Sequence, residues 1–104
     1  MSGEPMPPPG AERDGEIAQL LGDPWSRFHD FADVRTAERL VEEMGRRGFW
    51  CQYHSPFEPG MPHRAGFTPH STTGWNGRPD FAGEGATLAE AVSAAALLAL
   101  RGGA

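Results

Sequence analysis

The chain has 104 residues, 38% of them hydrophobic, which is enough for one domain with a modest core and too little for two. Its net charge is -5, and four of those five charges fall in residues 1–24, so the rest of the chain is nearly neutral. That balance excludes a basic nucleic-acid footprint and gives no support to a strongly acidic, DNA-like surface. The single cysteine, Cys51, excludes an internal disulfide and a multi-cysteine zinc site, and all nine basic residues are arginines.

The chain opens Met-Ser-Gly-Glu-Pro-Met-Pro-Pro-Pro-Gly, with neither a basic region followed by an apolar one nor any helical periodicity. Pro7-Pro8-Pro9 favours extended polyproline geometry, so residues 1–11 are expected to form a disordered tail ahead of a single domain over 12–104. The apolar run near the other end, Ala94–Leu100, is too short to cross a bilayer. The expectation is a cytoplasmic protein without a membrane partner.

Asp14–Leu21 reads as a short helix burying Ile17, Leu20 and Leu21, stopped by Gly22 and Pro24. Trp25 to Phe31 is too aromatic for an idle linker and is expected to brace the domain. A clear helix follows, with Asp33 as N-cap, Val34, Ala37, Leu40, Val41 and Met44 on one stripe, and Gly48 as its stop. Its outer face offers Arg39 with Glu43, Glu42 with Arg46, and Glu43 with Arg47.

Phe49–His54 is a strand with two alternating sets, Phe49, Cys51 and Tyr53 on one side and Trp50, Gln52 and His54 on the other. Pro56, Pro59, Gly60 and Pro62 break it, and Arg64–Thr68 returns as a second strand. Gly74, Asn76 and Gly77 mark a turn, and Asp80–Glu84 supplies a third strand. The last helix starts at a Thr87-x-x-Glu90 capping box and is apolar on nearly every side, with Leu88, Val92, Ala95 and Leu98 or Ala99 facing inward. The fold class expected is α+β, a small alpha-beta-alpha arrangement in which two or three antiparallel strands carry flanking helices.

Two segments carry a family resemblance. Phe31–Met44 with Gly48-Phe49 resembles the first block of the phage ABA sandwich family, and Gly83–Leu100 is similar to its last. The resemblance spans roughly residues 28–101 and implies an alpha-beta-alpha arrangement and a phage or prophage origin. It brings no assigned chemistry and no catalytic residue.

Chemistry is sparse in the residues themselves. Cys51, His54, His63 and His70 lie in or beside the strands, and imidazole suits zinc, nickel or copper, yet their spacing matches no recurring metal motif. Cys51 and His54 differ by three, which points them to opposite faces of a strand. Ser71-Thr72-Thr73 lacks a G-x-S-x-G setting, and Gly83-Glu84-Gly85 lacks the lysine of a phosphate loop. No metal, no cofactor and no catalytic residue are expected.

The expectation is therefore a non-enzymatic accessory protein that binds a protein partner through its loops and a sheet edge, an inhibitor of host antiviral defence of the anti-CRISPR kind being the most specific form. Trp50, His54, His63, Arg64, His70, Trp75 and Arg78 are the candidate partner-binding residues, since aromatic rings interleaved with arginine suit a protein hot spot. Nucleic acid is disfavoured by the charge. Two alternatives stand beside this reading: a small metal-dependent or thiol enzyme using Cys51 with His54, His63 or His70, and a structural homodimer formed through the surplus apolar surface of the last helix.

Overall fold

A computed structural model describes residues 6–23, 25, 30–56, 58–70 and 79–103. The elements run α1 (Ala11–Leu21), α2 (Val34–Arg46), β1 (Phe49–His54), β2 (His63–Pro69), β3 (Phe81–Gly85) and α3 (Leu88–Gly103). The three strands form one antiparallel sheet in the order β1-β2-β3, so the fold is α+β with an open sheet. Among the described residues no helix is long and apolar enough to cross a membrane.

Helix α3 is the centre of the molecule. Ala91 to Leu97, Ala99 and Leu100 are all buried, because the sheet covers one side of the helix while α1 and α2 cover others. Alanine makes this possible: the helix approaches β3 so closely that a Cβ on Gly83 would stand 2.5 Å from the Ala95 nitrogen and 2.6 Å from the Ala94 Cβ. Gly83 is thus a packing requirement and not merely a turn residue. The N-cap half of the capping box forms, with the Glu90 amide donating to Thr87 Oγ1 at 3.1 Å, while the Glu90 carboxylate meets the Thr87 hydroxyl at 3.5 Å.

Helix α2 lies beside α3 on the same face of the sheet, over β1. Its N-cap is Asp33, whose carboxylate accepts from the amides of Arg35 and Thr36. Gly48 adopts φ 97°, a left-handed conformation natural to glycine, and turns the chain directly into β1. The stripe is Ala37, Leu40 and Met44 with Val41 partly covered, whereas Val34 is 65% exposed because it occupies the first position, a turn before the helix meets its neighbours. On the outer face Glu43 gathers both Arg46 and Arg47, at 3.0 and 2.9 Å, so Arg46 pairs at the three-residue spacing and not with Glu42. Burial pushes the Glu43 carboxyl up, and the two guanidiniums more than reverse that, leaving it below the usual carboxylate range.

Two expectations about the N-terminal part need correction. The helix starts at Ala11, ahead of Asp14, and its buried positions are Arg13, Asp14, Ile17, Ala18 and Leu21, which turns Leu20 toward solvent. Residues 6–10, read as part of a disordered tail, are held to the domain: Met6 packs against the core, and the carbonyl of buried Pro7 accepts a 2.9 Å hydrogen bond from Arg13 Nε. Charge accounts for the second point, since an arginine taken into the core needs acceptors and the Pro7 carbonyl supplies one. The aromatic brace is present as Trp25 stacked on Phe31 at 5.9 Å between centroids.

Candidate functional site

The strand alternation divides the sheet into two unlike faces. Phe49, Cys51 and Tyr53 share a face with Ala65, Phe67, Phe81 and Gly83 and turn toward the helices, where Phe49 meets Phe67 and Phe81 edge to face. Trp50, Gln52 and His54 share the other face with Arg64, Gly66, Thr68, Ala82 and Glu84. This outer face is the candidate site.

Three features run across it. At one end Trp50, 62% exposed, is met edge-on by the ring of His70 at 5.4 Å. In the middle Gly66 leaves room for Pro79, which would overlap any Cβ placed there, at 2.3 Å. At the other end His54 stands opposite Arg64, and Arg64 stands opposite Glu84, with Arg64 Nε 3.0 Å from the Glu84 carboxylate. The Gln52 side-chain amide lies within hydrogen-bond distance of His54 Nε2, at 2.9 Å, while Gln52 Oε1 is enclosed without a partner among the described residues.

The energetics favour recognition over stability. The Arg64–Glu84 pair is more than half exposed on both sides, and such pairs contribute roughly 0–1 kcal/mol. Arg64 can therefore exchange Glu84 for an external carboxylate at little cost. An exposed indole fixed by an imidazole edge loses little side-chain freedom when it is covered, and Trp and Arg are the residues most enriched among binding hot spots.

The structure brings together four of the seven candidate residues, Trp50, His54, Arg64 and His70. His63 is separated from them: it shares the helix-side face with Ala65, half-buried, with Nδ1 enclosed and without a partner among the described residues. Trp75 and Arg78 lie outside the described residues, as do Ser71-Thr72-Thr73. Gln52 and Glu84 were missed as members of the site. The period-two alternation already put Gln52 beside Trp50 and His54, whereas Glu84 depends on the β2–β3 register, which no local pattern sets.

The groups weighed for catalysis are not gathered. Cys51 faces the helices while His54 faces outward, and burial pushes the Cys51 thiol up, with Tyr53 as its side-chain hydrogen-bond partner. Burial and the neighbouring Cys51 push the Tyr53 phenol up to about 12. Among the described residues no three His, Cys, Asp or Glu side chains are placed to hold a metal ion.

Comparison of the chain with protein-family models, curated proteins and solved structures finds no match.

Proposed function

We propose that this chain is a non-catalytic accessory protein of phage or prophage origin that acts in the host cytoplasm by binding a protein partner through the outer face of its sheet. Inhibition of a host antiviral defence, of the anti-CRISPR kind, is the most specific form of this reading. The observation that carries the binding role is Trp50, an indole left 62% exposed on a strand and met by the His70 ring, on the same sheet face whose far end carries Arg64 in an ion pair that is cheap to break. Small size, acidity and the resemblance of the segments around residues 31–49 and 83–100 to phage ABA sandwich proteins support the origin.

Self-association through α3 finds less support. The apolar surface that suggested it is covered within the chain by the sheet and by the other two helices. Affinity capture from host extract with the parent and with Trp50→Ala tests the leading reading. A discrete protein retained by the parent and lost by the variant supports it, and an identical set retained by both discards it.

A further inference from the structure

A second concavity lies at the free edge of β3, away from Trp50. Met6, Ala94 and Leu98 line it together with the charged side chains of Arg13, Arg64 and Glu84, around a volume of about 550 Å³. Small-molecule sites commonly measure roughly 300–1,000 Å³ and combine apolar walls with a few fixed polar groups. The cleft has that make-up.

Arg13 is the unusual member. It is only 5% exposed, yet among the described residues its hydrogen-bond acceptors are neutral: the Pro7 carbonyl at 2.9 Å, and the Glu90 carbonyl and Ser93 Oγ at 3.3 Å each. Those bonds occupy Nε and Nη1; Nη2 makes no hydrogen bond among the described residues and is not an enclosed atom, so it keeps contact with solvent. Glu90 and Asp14 act on the guanidinium through space, with the Glu90 carboxylate near the Thr87 hydroxyl and Asp14 accepting the Phe31 amide. Burial outweighs both and pushes the Arg13 pKa down, as expected of a cation with too little compensation. Arginine nevertheless keeps its charge, so an anion reaching Nη2 would meet a cation already oriented by its other bonds.

We propose that this cleft binds a small amphipathic monocarboxylate, its carboxylate on Arg13 Nη2 and its apolar stem along Met6, Ala94 and Leu98. Arg64 and Glu84 line the cleft as an ion pair, and the Glu90 and Asp14 carboxylates already act on Arg13, so one further negative charge suits the site better than two. The assignment does not rest on the partner-binding reading, although Arg64 and Glu84 border both sites.

The test is an NMR titration of the full ¹⁵N-labelled chain with hexanoate, with 1-hexanol and with inorganic phosphate. Hexanoate is expected to shift the amides of Ala82, Gly83, Glu84 and Leu98 and the Arg13 side-chain signal saturably, at least fivefold more tightly than either of the other probes. Arg13→Met should abolish the advantage over hexanol. Because Arg13 also pins Pro7, a second variant keeps the arginine: Ala82→Leu, at an exposed position on the cleft wall, should weaken hexanoate at least fivefold, while Trp50→Ala leaves it unchanged. Equal binding of hexanoate and hexanol, phosphate binding as tight as hexanoate, or undiminished binding by Ala82→Leu would each overturn the assignment.

Discussion

Trp50 and His70 meet edge to face across the end of the sheet, their ring centroids 5.4 Å apart and their planes at 61°. The contact joins a strand residue to the residue just past β2, whose amide also donates to the Gly48 carbonyl at 2.7 Å. The ring that holds the indole is thus itself anchored to the backbone entering β1. Truncation of Trp50 should leave the fold nearly intact, with a loss within about 1 kcal/mol in urea denaturation, because an exposed side chain buries little area on folding. A loss of several kcal/mol would show that the indole belongs to the core.

Gly83 and Gly15 should respond in opposite directions to the same substitution. At Gly83→Ala the new methyl would overlap the α3 backbone, and overpacking of this kind costs about 1–3 kcal/mol. At Gly15→Ala, inside α1, nothing lies within 4 Å of the new methyl, so helix propensity alone should add about 0.5–1 kcal/mol. Thermal and chemical denaturation of the two variants measures both signs. Destabilisation by Gly15→Ala would contradict the exposure of that face of α1.

Glu16 and Arg101 tie the first helix to the last through two parallel bonds, Nε to Oε2 at 2.6 Å and Nη2 to Oε1 at 2.8 Å. Those bonds hold the Glu16 carboxyl below its usual range. The folded-state pKa is therefore the lower one, so the contribution is complete above the unfolded value and is lost as pH falls through the folded value. Asp14 runs the other way: burial raises its pKa, so folding is penalised above the raised value and the penalty fades as pH falls. In a denaturation series from neutral pH downward, Glu16→Gln should be less stable than the parent at neutral pH, and the gap should close below the ordinary glutamate range. A gap independent of pH would mean that the pair contributes packing and no linkage.

Cys51 should behave as a core thiol. Burial raises its pKa, so the thiolate fraction near neutral pH is smaller than for a free cysteine, and its packing against the core beneath α2 restricts access. Alkylation by iodoacetamide should be at least tenfold slower in the folded chain than in denaturant. An equal or faster rate when folded would revive the thiol chemistry weighed for Cys51.

Much of the fold was legible because its signals are local. The Asp33 cap, the N-cap half of the Thr87-x-x-Glu90 box, the stop at Gly48 and the alternation of Phe49–His54 each act within one turn or one strand, and each forms as read. What escaped was long-range. Arg13, Ile17 and Leu21 fall at four-residue spacings, a stripe that would have marked the arginine as buried, yet its acceptors on α3 lie 77 and 80 residues away. The placement of Val34 and Leu20 in buried stripes failed for a related reason: periodicity gives a face, while tertiary contacts decide how far along the helix that face is covered. In the candidate site, the side of each β1 residue was readable, but the row His54–Arg64–Glu84 depends on strand register, and His63, one residue out of phase with Arg64, lies on the other face of the sheet.

The central claim is that the outer face around Trp50 recognises a protein, and the dissociation constant of the captured partner for three forms of the chain tests it most directly. For the parent, Trp50→Ala and Arg35→Ala, the last at an exposed α2 position away from the sheet, the account predicts at least about thirtyfold weakening for Trp50→Ala, the scale of a hot-spot loss of about 2 kcal/mol. Arg35→Ala should stay within about threefold of the parent, as expected for a residue outside the interface. Parent-like affinity in a folded Trp50→Ala variant would contradict the account.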